Sequence, residues 1–359
     1  EAKQIFEEII QEELTDDVLN YMVSNDAMSK EKRSIIIDYK ISTRVSLGNI
    51  LIMLGNLDEG EQYIYDAINY IESNQTNRKI YYNALDHLYN IAKARLDYDE
   101  AFRGYSSLVN IIEKEQGKNS TELISPLKSL GNIKRRLGER KEALPYFERA
   151  LKIADLHKVG PYLKSIIYHN LAITYYEMGH NEKSEKYFDI AIKQRKLAKY
   201  YFGLDKSKLF LVRVKIRLKK YKEAKNLLRE YENSFYKNYP KNHPKIMNVY
   251  TLYMQLYINS NLDEYTNSLI KFNSFVSNYA KGLLSKKFNV PLATYRPNIN
   301  AVFIDLLNKL SKNDYLEVSS LYKSKTNRNI ENDLIELVML LKTSKINRSV
   351  QNLIDRADN

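Results

Sequence analysis

One position in this chain returns at an almost constant interval. It is occupied by Gly60, Ala101, Ala143, Ser184, Ala224 and, in a degraded last copy, Tyr265, so the successive steps are 41, 42, 41, 40 and 41 residues. The surrounding residues keep their offsets as well. The clearest copy runs Leu130, Gly131, Gly138, Ala143, Phe147, Ala150; an earlier one runs Leu47, Gly48, Gly55, Gly60, Ile64, Ala67; a later one runs Leu171, Ala172, Gly179, Ser184, Phe188, Ala191. Small residues at fixed places, with a bulky residue one turn away, suit two helices whose backbones approach closely and whose neighbouring groove is filled by one large side chain. Gly55, Gly138 and Gly179 fall where the first helix should end, in a left-handed cap. One helix pair cannot bury its own apolar face, so the copies are expected to stack, each covering the next.

The pattern L-G-x(6)-G-x(4)-A-x(3)-F-x(2)-A resembles the tetratricopeptide repeat over residues 41 to 273. Its period, near 41 rather than 34, is similar to the kinesin-light-chain subtype. "GKNSTELISPLKSLGN" at 117–132, "YPKNHPKIMNVYTLY" at 239–253 and "HNLAITYYEMG" at 169–179 look like that subtype's linkers and helix core. Pro126 and Pro244 stand near expected helix starts, where a missing N–H does no harm. The resemblance implies an all-α, right-handed α-solenoid of about six helix-turn-helix repeats with helical caps.

Domain boundaries follow from where the pattern stops. Residues 1–40 carry Ile5, Phe6, Ile9, Ile10, Val18, Leu19 and Met22 at helical spacing and read as an N-terminal helical cap. The repeats occupy 41–273, and 274–300 is a helix end and linker containing the Asn- and Pro-rich "KKFNVPLATYRPNINA". A C-terminal helical segment follows at 301–359, either a cap or the start of a further domain. A first residue of Glu1 rather than methionine suggests a fragment of a longer chain.

Composition narrows the chemistry. With no cysteine there can be no disulfide, thiolate metal site or cysteine nucleophile, which fits a reducing, cytoplasmic setting. The five histidines form no H-x-x-x-H or H-E-x-x-H pair, and no G-x-x-x-x-G-K-[ST] loop occurs. No run of 18 apolar residues predicts a membrane span. Neither an enzyme nor a cofactor is expected from these residues.

Charge is unevenly distributed. Residues 1–120 hold 13 Lys and Arg against 21 Asp and Glu; residues 121–245 hold 29 against 13; the remainder holds 14 against 10. A basic middle favours an acidic partner surface. Nucleic acid is a weaker fit, through a larger ribonucleoprotein, because Phe210, Val212, Val214, Ile216 and Leu218 in the most basic stretch are needed for packing.

In proteins with this repeat, ligands lie along the concave surface made by the first helices. Carried onto this chain, the resemblance selects Asn49, Asn90 and Asn132 at one equivalent position, with Lys128, Arg135, Arg136, His169, Tyr176, Lys206, Arg213 and Arg217 beside them. Asparagine amides can donate to and accept from an extended backbone, and arginine captures carboxylates in a bidentate manner. The expected function is a protein-interaction scaffold binding a protein or extended peptide segment, within a bacterial multi-protein system. Two alternatives stand. One is the sensing region of a caspase-like CHAT protease whose catalytic domain lies outside the chain; the other is a signalling-peptide receptor of the Rap type.

Overall fold

The computed structural model describes residues 29–74, 77–238, 243, 246–258, 261–284, 312–330 and 332–333. Among these residues there are 13 α-helices, one short 3-10 turn at Thr121–Leu123 and no strand. The helices are α1 Lys30–Leu54, α2 Leu57–Asn74, α3 Arg78–Ala94, α4 Tyr98–Gln116, α5 Ile124–Arg136, α6 Arg140–Leu156, α7 Pro161–Glu177, α8 Asn181–Leu197, α9 Tyr201–Arg217, α10 Tyr221–Asn238, α11 Ile246–Tyr257, α12 Leu262–Leu284 and α13 Lys312–Thr326. Among the described residues the fold class is the all-α solenoid that the repeat pattern predicts. No described helix is long and apolar enough to cross a membrane.

Local sequence sets the helix ends. Ser29, Asn77 and Asp97 each accept a hydrogen bond from a backbone N–H of the first turn that follows. Pro161 opens α7 at a position where its missing N–H is harmless. Four first helices, α1, α3, α5 and α9, close in one way: the N–H of residue 55 bonds to the carbonyl of Ile52 and that of residue 56 to Leu51, and the same pair of bonds recurs at Leu96 and Asp97, Gly138 and Glu139, and Lys219 and Lys220. This closure requires a left-handed residue. Gly55 and Gly138 supply it at φ 92° and 87°, whereas Leu96 and Lys219 adopt it at φ 65° and 58°; Gly179, after α7, is also left-handed at φ 82°. A side chain in that conformation costs about 1–2 kcal/mol relative to the right-handed one.

The helix crossings explain the small residues. A Cβ on Gly48 would lie 2.9 Å from the carbonyl of Gly60, and one on Gly60 would lie 2.8 Å from the carbonyl of Gly48. In the third repeat the ring of Phe147 fills the space over Gly131. The second repeat inverts this arrangement: Tyr89 stands where Gly48 and Gly131 stand, and Gly104 on the partner helix makes room for its ring.

The described chain divides into two compact units, residues 1–178 and 179–359. The division falls in the turn of the fourth copy, within the 41–273 span of the repeat pattern. In the first unit, α1 to α7 pack in sequence, and each first helix also touches the next: α1 with α3, α3 with α5, α5 with α7. Its buried core includes Ile41, Leu47, Ile64, Tyr105, Leu127, Phe147 and Leu171. α1 begins at Lys30 and runs through residue 40, where the sequence predicts a boundary between cap and repeats.

In the second unit, α8 to α12 pack in sequence around Val212, Leu228, Phe235, Leu252 and Phe272, and α13 packs on α12. The expected helical stretch "DYLEVSSLY" is part of α13. It buries Val318 and Tyr322, and Lys325 reaches Asp263 at 2.7 Å. The apolar residues named in 1–28, Pro244, the 286–301 linker, and the stretch after residue 333 lie outside the described residues.

Candidate partner-binding face

The first helices of the first unit carry polar side chains at equivalent positions on their shared face. Asn49 of α1, Asn90 of α3, and Lys128 and Asn132 of α5 are all half-buried. Helical spacing explains their convergence, since residues three, four and seven apart share one face, and that face is turned away from the apolar contacts of the second helices.

Asn90 is already engaged. Its amide nitrogen donates to Asp86 Oδ2 at 3.1 Å, and its carbonyl oxygen accepts from Lys93 Nζ at 2.6 Å. Ser125 of α5 donates to the other oxygen of Asp86 at 3.1 Å, which ties the second repeat to the third. Tyr105 of α4 donates to the Asp86 carbonyl at 2.9 Å, and Lys93 Nζ lies 5.3 Å from the centre of the Tyr105 ring. Burial lowers the Lys93 amine from 10.5 to about 8; the positive charges of Lys128 and Arg136 push the same way, and Asp86 opposes them. Three cations from α3 and α5 therefore share a small region with one carboxylate.

The other predicted residues are placed as follows. Arg135 pairs with Glu177 of α7 at 2.6 Å with its side chain only 12% exposed, and Arg140 reaches the second Glu177 oxygen at 3.4 Å. Arg135 is thus occupied in joining the third repeat to α7. Arg136, the last residue of α5, is exposed; Tyr176 is half-buried; His169 is buried at 4% exposure. Lys206, Arg213 and Arg217 belong to α9 in the second unit. There Lys206 and Arg217 are exposed, and the Arg213 guanidinium lies 5.0 Å from the centre of the Phe210 ring. The structure brings Asn90, Lys128 and Arg136 together with Asp86, Lys93 and Ser125 in the first unit, and Asn132 is half-buried one helical turn from Lys128.

Two family models, each described as tetratricopeptide repeat, match the chain over residues 82–155 and 166–196. These stretches are similar to tetratricopeptide repeats. Solved structures with a similar fold include the apo form of RapI, with TM-score 0.56 and 14% identity over 79% of this chain and 99% of that one. A signal-transduction ATPase with numerous domains and a tetratricopeptide-repeat sensor, from Pyrococcus horikoshii, aligns with TM-score 0.54 and 16% identity over 94% of this chain and 49% of its own. BtubC (BKLC) from P. vanneervenii aligns with TM-score 0.52 and 14% identity over 67% and 92%. No curated protein sequence matches. At these identities the likeness concerns the fold.

Asp86, Lys93 and Ser125 are absent from the residues selected by sequence, although the repeat register contains the signal. Asp86 holds the position that Lys128 and His169 hold in the next two repeats, and Lys93 holds that of Arg135 and Tyr176. Aligning every polar residue at each inner position, rather than the asparagines and arginines first, would have included them. Chemically, the face offers amide groups for an extended backbone and cations for carboxylates.

Proposed function

We propose that this chain is a protein-interaction scaffold whose first unit receives an extended acidic segment of a partner along the face of α1, α3, α5 and α7. The observation that carries the proposal is the half-buried polar row on adjacent first helices, Asn90 and Asn132 at equivalent positions with Lys93 and Lys128 beside them. Lys93 and Lys128, with Arg136 nearby, outnumber Asp86, so a carboxylate entering this region gains charge-assisted hydrogen bonds. Asn49 and Asn132 are placed to hold the backbone on either side.

Two structures of similar fold support a peptide as the partner. One is a Rap protein complexed with competence and sporulation factor, with TM-score 0.52; the other is the Rap conjugation gene regulator of plasmid pLS20 with the Phr* peptide, with TM-score 0.51. They favour the signalling-peptide receptor as the finer form of the reading, in a bacterial cytoplasm.

The test is selection from a random peptide library with the intact chain, followed by fluorescence anisotropy on the winners. Selected peptides should be rich in Asp and Glu. Their affinity should fall at least about tenfold in Lys128→Glu with Arg136→Glu, at an unchanged thermal midpoint. Neutral or basic winners, or affinity untouched by the double substitution, would sink the proposal. Arg135→Glu is a poor probe, because it sets a carboxylate against Glu177 and disturbs packing.

A further inference from the structure

The turns between the two helices of each repeat form an edge of the first unit, distinct from the inner face. On this edge the second repeat replaces glycine by Leu96, in the left-handed conformation at φ 65° and 69% exposed. Leucine there bears a steric cost of its Cβ that glycine would not bear, and it gains little from burial. The preceding turn exposes Met53 at 79% and Leu54 at 68%, and the following turn exposes Leu137 at 42%. Because α1 packs on α3 and α3 on α5, these side chains follow one another along a single edge. Single exposed leucines are ordinary on a protein surface, whereas a row of them marks an interface.

Charge defines what would cover the row. Asp58, Asp97, Asp99 and Glu100 flank it and are exposed. Arg95 is drawn into pairs with Asp58 and Glu61, each at 2.7 Å, and Lys93 is turned to Asn90. Acids in the first turn of a helix suit the helix dipole, which accounts for each one separately. It does not account for the apolar row between them. At the third repeat the turn becomes basic through Arg136, Arg140 and Lys141, so the acidic stretch ends after α4.

We infer that this edge docks an amphipathic helix of a second partner, its apolar side on Met53, Leu54 and Leu96 and its flanks rich in lysine or arginine. Adjacent helices pack about 8–10 Å apart, and seven residues of an α-helix rise about 10.5 Å, so a docked helix with an apolar residue every heptad meets successive turns in step. The chain then holds one segment on its inner face and another on its edge, as an adaptor joining two partners.

The probe is a fluorescein-labelled synthetic helix of about three heptads, leucines on one face and lysine and arginine on the flanks, with a glutamate-flanked counterpart. Anisotropy with the intact chain should show saturable binding of the basic helix and at least about tenfold weaker binding of the acidic one. Leu96→Gly should raise the thermal midpoint while weakening binding at least about tenfold, so that loss of binding is separated from loss of fold. Met53→Ser with Leu54→Ser should weaken it similarly. Absence of saturable binding, equal binding of the two helices, or unchanged affinity in Leu96→Gly would overturn the inference.

Discussion

At the scale of single residues, the second repeat shows that the family pattern specifies a volume and leaves open which helix supplies it. Tyr89 brings a ring where Gly48 and Gly131 have no side chain, and Gly104 removes one where the first, third and fourth repeats have Tyr63, Tyr146 and Tyr187. A Cβ on Gly104 would come 2.3 Å from the Tyr89 ring. Gly104→Ala should therefore destabilise by about 1–3 kcal/mol, the range for overpacking a filled core. Combining Gly104→Tyr with Tyr89→Gly should recover most of what Gly104→Tyr alone loses, measured as non-additivity in chemical denaturation; additive losses would show that the two sites are independent. Lys93 makes a second prediction. Its amine titrates at about 8 in the folded protein, below the ordinary 10.5. Below pH 8 it is charged in both states and the folded state bears the burial cost. Between pH 8 and 10.5 the unfolded chain holds more protons, so stability should rise with pH across that window. The thermal midpoint of the wild type should climb relative to Lys93→Met between pH 8 and 10. Parallel profiles would mean that Lys93 is solvated like a surface lysine.

At the scale of elements, helix pairs and their turns were legible because the residues that make them lie close in sequence. The αL position after each first helix is an example: glycine in three copies announces the closure, and the structure shows Leu96 and Lys219 completing it without glycine. The attachment of α13 was not legible, since it rests on contacts far apart in the chain. Tyr322 of α13 is buried, donates to Asp333 at 2.5 Å and accepts from Asn273 of α12 at 3.3 Å. Tyr322→Phe removes the hydroxyl and leaves Asn273 and Asp333 short of a partner. The expected loss is about 1–3 kcal/mol, with hydrogen exchange accelerated in α12 and α13 ahead of the rest of the second unit. Unchanged exchange there would mean that Val318 and its apolar neighbours alone hold the helix.

At the scale of the whole molecule, charge is the property that composition states most plainly. Residues 29–120 hold 12 basic against 13 acidic residues, whereas residues 121–178, which carry α5 to α7, hold 10 against 6. An acidic peptide on the inner face should therefore associate faster at low salt. Raising ionic strength from 0.1 M to 1 M shortens the screening length from about 10 Å to about 3 Å. The association rate of a selected acidic peptide should fall at least about tenfold over that range, with a smaller change in dissociation, because steering acts at a distance and the asparagine contacts do not. A salt effect confined to dissociation would place the cations in contact chemistry alone.

The amino-acid sequence by itself determined the repeat, the helix pair within it, the glycine closures and the small-to-bulky crossings, because each depends on residues within a few turns of one another. The register also identified which helices present Asn49, Asn90 and Asn132. Only the tertiary structure decided which polar groups are already taken. Asp86 meets Ser125 from 39 residues away, and Arg135 meets Glu177 from 42. Such pairs depend on how neighbouring helices rotate against each other and which rotamers their side chains adopt. A rotation of a fraction of a turn exchanges one partner for another while the apolar pattern in the sequence stays the same.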